Sequence, residues 1–351
     1  MNNNIKKWFA ERIPFTFESF KAFGSEPVPH HLKHWWWALG GTPAYLFVIQ
    51  MITGVLLLFY YIPAEDAAYN SVKNITENIS YGWYIRSMHY WSANFMIMAV
   101  ILHVFRVFFT GSYRKPREIN WMVGTVILAV TLLLGFTGYS LIYEQLSYWG
   151  ITVVTQLLDA IPLIGQFVGD FFRGGKTIGQ GTLSRVFIFH VAILPGLLIV
   201  LLTIHIAYMH TQGITKFKFA GDKDKKSFPF VPDHLITEII IALILMFLMT
   251  CLAIIFPVHL GSEANPQITP DHIKPEWYFY FAFRILKLTS DTGAVLIMGF
   301  GYMLLMFWPL IDSGFRQKKP ESERSILIGI FMVLTLVFLT LWEALELLFS
   351  H

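Results

Sequence analysis

The sequence predicts an all-α transmembrane protein, a four-helix bundle followed by a three-helix C-terminal module, and three observations lead there. Of 351 residues, 55% are hydrophobic and 14% charged, whereas a soluble domain carries about a quarter charged residues and somewhat under half apolar ones. The apolar residues gather into runs at 40–61, 85–109, 121–142, 186–209, 236–256, 293–311 and 325–347, and about 20 helical residues cross a hydrocarbon core roughly 30 Å thick. A polar stretch at 216–234 separates the first four runs from the last three. A soluble protein with buried helices is excluded, because 235–257 and 326–342 hold almost no charge.

Taken in order, the chain opens on 8–23, where aromatic residues mix with Glu11, Arg12, Glu18 and Lys21. That pattern suits a helix in the membrane interface or a solvated arm. The segment has no continuous apolar core of the kind a cleavable signal requires. Lys6, Lys7, Arg12, Lys21 and Lys33 precede the first span, and Arg114, Lys115 and Arg117 follow the second. Lys216, Lys218, Lys223, Lys225 and Lys226 follow the fourth, and Arg316, Lys318, Lys319 and Arg324 follow the sixth. Basic loops stay on the cytoplasmic (n) side, so the N-terminus is expected there and the C-terminus on the opposite (p) side. The basic residues are spread over these loops and give no sign of a nucleic-acid partner.

The expected domains are 1–215, a basic n-side linker at 216–234, and 235–351. Two long p-side loops, 142–185 and 257–287, are expected to meet a substrate or partner, since loops of this length are usually functional.

The second span carries His89 and His103, and the fourth carries His190 and His205. Ionisable residues at membrane depth tend to be functional. A 14-residue step returns to within roughly 40° of the starting helix face, and a 15-residue step overshoots by roughly 60°. Both steps rise about 21 Å, so two facing helices would offer one histidine pair near each membrane surface. Two bis-histidine haems fit that spacing. The flanking spans carry Gly40 and Gly54, and Gly124 and Gly138, and glycine lets a backbone approach a flat macrocycle. Taken singly, a membrane histidine or glycine is more often a packing residue; the repeated spacing is what favours a four-helix dihaem bundle. Arg86 and Arg106 sit three residues from His89 and His103 and could neutralise haem carboxylates or reach lipid headgroups. The single cysteine, Cys251, excludes an internal disulfide, and no Cys-x-x-Cys-His attachment motif is present.

Gly82-Trp83-Tyr84-Ile85-Arg86-Ser87-Met88-His89, His103-Val104-Phe105-Arg106, Gly138-Tyr139-Ser140-Leu141, Tyr148-Trp149-Gly150, Asp159-Ala160-Ile161-Pro162 and Pro275-Glu276-Trp277-Tyr278 make the chain resemble the cytochrome b family of bc1 and b6f complexes over nearly its whole length. The resemblance implies a subunit of a quinol:cytochrome c (or plastocyanin) oxidoreductase that translocates charge by a Q cycle. His89 and His190 would ligate a p-side, low-potential haem b, and His103 and His205 an n-side, high-potential one. Pro275, Glu276, Trp277 and Tyr278 would form the quinol site, with Glu276 accepting a proton. For an isolated loop glutamate, an ion pair with Lys274 or Arg284 is the ordinary alternative.

The resemblance also implies a Rieske iron-sulfur protein and a c-type cytochrome as partners, a homodimeric complex, and a prokaryotic cytoplasmic membrane. The 15-residue histidine step, the Gln212-Gly213-Ile214 segment, the Asp159–Pro162 tetrapeptide and seven rather than eight spans point to the b6f branch or related bacterial forms, with both modules fused. Ala38 stands where b6-type proteins have the cysteine of a covalent extra haem, so no covalent haem is expected. Ile142-Tyr143 replaces Pro-Trp, which implies a differently shaped quinol pocket. His210 would line an n-side quinone site, where Lys226 stands for an expected aspartate. A dihaem anchor of a quinone-coupled dehydrogenase would need neither the Pro275–Tyr278 loop nor the second module. A haem-free transporter would need the histidines only as proton relays.

Overall fold

Each of the seven expected apolar runs is helical in the computed structural model, which describes residues 24–25, 27–29, 32, 35–215, 227–270, 273–319 and 322–349. The basic N-terminal residues Lys6 to Lys33, the 8–23 segment and Lys216 to Lys226 lie outside the described residues.

A 3-10 turn, Trp35–Gly40, leads into α1, Thr42–Leu58. At 17 residues α1 is shorter than the run that predicts it, because Pro43 sets its first turn and lacks an N–H to extend it backwards. The short α2, Ala68–Glu77, leads to α3, Gly82–Phe109, and α4, Glu118–Ser140, which are the second and third spans. The 142–185 segment, expected as a loop, instead folds into α5, Gln145–Asp159, and α6, Gly165–Arg173. Arg173 ties the two together with bonds to Asp159 at 2.6 and 2.9 Å and to Asp170 at 2.8 Å.

The fourth span is α7, Gln180–Gln212. It widens into a π turn at Phe189–Ile193, where Pro195 has no N–H for the carbonyl four residues earlier. A two-residue ladder, Pro27–Val28 with Phe228–Pro229, precedes α8, Leu235–Ile255. In the second p-side loop, a 3-10 turn, Trp277–Phe279, opens onto α9, Tyr280–Leu288.

The expected span 293–311 is not one straight helix. It consists of α10, Asp291–Met306, and α11, Trp308–Lys318, which meet at 59°. Pro309 lies in the first turn of α11, and the Leu305 carbonyl that it cannot reach accepts the Trp121 indole N–H at 2.8 Å. Buried Asp312 holds the bent half, bonded to Arg114 at 2.9 Å and to Ser325. The last span is α12, Arg324–Phe349.

Among the described residues, five helices are long and apolar enough to cross a membrane, or six with the bent pair counted as one; α1 is apolar but shorter. Their outward faces carry large apolar side chains such as Phe247, Phe300 and Phe331, each 70% or more exposed. That is the surface expected of helices solvated by lipid rather than water. The core at the centre includes Leu46, Met96, Ile127, Leu198 and Met249, drawn from α1, α3, α4, α7 and α8.

Candidate functional site

The histidine ladder folds into two pairs, each joining α3 to α7. His89 of α3 meets His190 of α7 with ring centroids 6.3 Å apart, and His103 meets His205 at 6.4 Å. The ring planes cross at 79° and 74°. An imidazole nitrogen about 2.0 Å from a metal puts its ring centroid about 3.2 Å away, so trans ligands on one ion leave their centroids about 6.4 Å apart. Both pairs match that separation. Among the described residues no group of three or more His, Cys, Asp or Glu could hold a metal ion. A set of two histidines is what haem iron needs, because the macrocycle supplies the other ligands.

The π turn explains how a 15-residue step serves as well as a 14-residue one. A π turn takes an extra residue into the helix, and His190 lies within it, so the overshoot expected of a regular helix is absorbed.

The four ladder glycines pair one to one with the four histidines. A methyl added at Gly138 would lie 2.8 Å from His190 Cε1, at Gly54 3.4 Å from His89 Cε1, and at Gly124 3.4 Å from His205 Cε1. At Gly40 it would lie 3.8 Å from His103 Cε1. These are walls that a side chain would fill, as a flat group between the histidines requires.

Two threonines that the sequence reading passed over complete the p-side pair. Thr53 donates its hydroxyl to Ile49 O at 2.7 Å and lies 2.8 Å from His89 Nδ1. Thr137 donates to Leu133 O at 2.8 Å and lies 3.1 Å from His190 Nδ1. A hydroxyl whose proton is already committed can only accept from the ring. Assigned on that pattern, both histidines carry their proton on Nδ1 and present a bare Nε2 lone pair. In sequence the signal was each threonine's place immediately before a ladder glycine.

The arginines are less simply placed. Arg86 donates to the carbonyls of Val258 at 2.8 Å and His259 at 3.2 Å, clasping the second p-side loop. Arg106 donates to Trp37 O at 2.8 Å and lies 3.2 Å from His103 Nδ1. His210, near the end of α7, is exposed and stands apart from the p-side cavity. An acid that the sequence reading overlooked, Glu238 of α8, reaches this n-side end. A methyl on Gly41 would meet its carboxylate at 2.6 Å, and His234 Nε2 lies 3.5 Å away.

A cavity of about 420 Å³ joins the His89–His190 pair to the second loop; His89, His190, Tyr139, Glu144, Glu276 and Tyr278 all line it. Pro275 and Trp277 do not. Trp277 donates instead to Asn94 Oδ1 at 2.7 Å, which orients the 3-10 turn so that buried Tyr278 faces the cavity. Burial pushes the Glu276 carboxyl up, the Glu144 charge raises it further, and Lys274 opposes both. Arg284, the other cation that might have paired with Glu276, is engaged by Glu343 at 2.9 Å and by Glu346. The cavity therefore combines an apolar wall, a carboxyl held above the usual carboxylate range, and the His89–His190 pair.

Comparisons with known proteins agree with this geometry. Residues 23–213 match the family described as Cytochrome b/b6/petB, and 263–346 match Cytochrome b(C-terminal)/b6/petD. The chain is 37% identical over 346 residues, 95% of its length and 79% of the relative's, to a cytochrome bc complex cytochrome b subunit of Chlorobaculum thiosulfatiphilum. It is 36% identical over 318 residues, 89% of its length and 79% of the relative's, to a cytochrome b of Rickettsia conorii. A solved structure described as a hyperthermophilic respiratory Complex III superposes with a TM-score of 0.78 at 25% identity, covering 95% of this chain and 96% of that one.

Proposed function

Because this chain belongs to the cytochrome b family, as the cytochrome b subunit of a bc-type complex, we propose that it oxidises quinol in its p-side cavity and passes one electron of each pair across the membrane to an n-side quinone. The observation that carries the proposal is the continuity of that cavity: one space touches both the His89–His190 pair and Glu276.

Haem b held by the His89–His190 and His103–His205 pairs would supply one-electron carriers. The rest follows from the chain's own groups. Tyr278 and the apolar wall seat the quinol ring. Glu276, its proton affinity raised by burial, takes a proton from the quinol hydroxyl as the first electron leaves, as a general base tuned toward neutral pH can. Thr53 and Thr137 hold the histidine tautomers that keep Nε2 available.

On the n side, we assign Glu238, Arg106 and His210 to the second quinone site, with Glu238 as the acid in place of the aspartate that the sequence reading sought at Lys226. The N-terminal module, 1–215, carries the haem sites, and the 235–351 module brings Glu276 to them. A Rieske protein and a c-type cytochrome are the expected electron-accepting partners, in a homodimeric complex of a prokaryotic cytoplasmic membrane with the N-terminus on the n side. The test is to purify the complex and record a reduced-minus-oxidised spectrum with quinol:cytochrome c turnover. Two b-type signals and quinol-dependent reduction of cytochrome c are expected; absence of haem absorption would overturn the reading.

A further inference from the structure

We propose that Glu144 is a second proton-relay carboxylate of the p-side cavity, receiving the quinol proton from Glu276 and delivering it to water on the p side. The proposal rests on the quinol-oxidation reading above and adds to it a residue which that reading does not use.

Placement supports it first. Glu144 lines the same cavity as Glu276 and also reaches the second loop. One carboxylate oxygen accepts the Gly261 N–H at 2.6 Å, in an exposed part of the second loop. The adjacent backbone is pinned there as well: Gln145 N–H donates to Ser262 O at 2.9 Å, and Glu144 bridges Glu263. Although Glu144 immediately precedes α5, its side chain caps none of that helix's N–H groups. It spans the gap between cavity and loop instead.

Charge supports it second. Arg86 from α3, Tyr139 from α4 and Glu276 from the second loop feel the Glu144 charge, and His259 lines the same cavity. Arg86 is held nearby by the Val258 and His259 carbonyls, within reach of the Glu144 charge. The Glu144 charge raises the proton affinity of Glu276, so the two carboxylates act on one another across the cavity. Because burial weighs on Glu276, the proton starts there and leaves through Glu144, whose carboxylate is bonded to the exposed loop at Gly261.

The transfer balances simply. The O–H bond of protonated Glu276 breaks as an O–H bond forms on Glu144, directly or through cavity water. Glu144 then gives the proton to bulk water. Both carboxylates return to their charged state, and no electron moves in either step.

The experiment compares Glu144→Gln, Glu144→Asp and Glu276→Gln in the whole complex, following quinol oxidation against pH together with haem spectra. Glutamine keeps an acceptor for Gly261 N–H, so the loop tie survives. In Glu144→Gln, plateau turnover should fall about tenfold, a modest part of the range for lost acid–base function, with unchanged haem spectra. The acid limb should move to lower pH, because the charge that helps hold a proton on Glu276 is gone. Glu144→Asp should restore the rate, and added formate should restore part of it in Glu144→Gln. Wild-type turnover with an unmoved limb in Glu144→Gln, or equal losses in the Gln and Asp variants with an unmoved limb, overturns the relay. If Glu276→Gln is slow while Glu144→Gln is normal, only the relay fails; if Glu276→Gln is itself normal, the quinol-base reading fails with it.

Discussion

Thr53 Oγ1 lies 2.8 Å from His89 Nδ1 while donating its own proton to Ile49 O. The hydroxyl thus fixes both the tautomer and the ring plane of a histidine whose other nitrogen faces His190. Thr53→Val keeps the shape and removes the acceptor. Haem retention at the p-side pair, or activity, should fall roughly 10- to 100-fold, as is usual for lost outer hydrogen bonds to a ligand histidine. A redox titration should show the p-side midpoint displaced and the n-side one unchanged. Identical titrations of mutant and parent would remove Thr53 from the site.

The ladder glycines should show a graded sensitivity. An added methyl meets its histidine at 2.8 Å at Gly138, at 3.4 Å at Gly54 and Gly124, and at 3.8 Å at Gly40. Gly138→Ala should therefore lose the most haem and Gly40→Ala the least. Gly54→Leu and Gly138→Leu should assemble without the p-side haem or not assemble, since overpacking alone costs about 1–3 kcal/mol. Gly299, where an added methyl meets nothing within 4 Å, is the control. Haem quantified per complex decides it, and an order unrelated to these distances would refute the wall assignment.

The long spans and the paired histidines were legible in the sequence because hydropathy and helical spacing are local properties. The bend at Phe307 was not. Both halves of that run are apolar or amphipathic, and only the contact of Trp121 with Leu305 O shows where the helix turns. The helices α5 and α6 were missed because amphipathic segments read as polar loop when the signal sought is a continuous apolar run. The step from His190 to His205 read as an overshoot of roughly 60° on one broad face, because a straight helix was assumed where a π turn takes up a residue. Glu276 stood out within a recognisable tetrapeptide. Thr53 and Thr137 did not, since threonines bonding the preceding turn are common in membrane helices, and their second role depends on a histidine of another helix. Glu144 and Glu238 acquire meaning only through tertiary neighbours, Gly261 and Gly41.

No covalent haem is expected on this chain. Its one cysteine, Cys251, lies on α8, and Ala38 occupies the place where the b6-type attachment cysteine would stand. A denaturing gel stained for haem should leave the band at 40.4 kDa unstained, and a stained band at that mass would contradict the assignment.

The pH dependence of quinol oxidation should report Glu276 directly. As a base, the residue works only when deprotonated, so activity must fall as pH drops through its pKa. Burial and the Glu144 charge raise that pKa while Lys274 opposes them, which places the acid limb above the range of an ordinary exposed carboxylate, about 4.3. Glu276→Gln retains size and hydrogen bonding but has no titration, so the limb should vanish and plateau turnover should fall roughly 10- to 1000-fold. Glu276→Asp, which keeps the base on a shorter stem, should retain a limb at reduced rate. Haem spectra should stay normal in both, since neither substitution touches the histidine pairs. The Trp277–Asn94 bond supplies an independent check: Asn94→Ala frees the turn that presents Tyr278 and should raise KM for quinol while leaving the acid limb in place. Turnover of Glu276→Gln near the parent's across the whole pH range would show that another group takes the proton, and the assignment would have to be withdrawn.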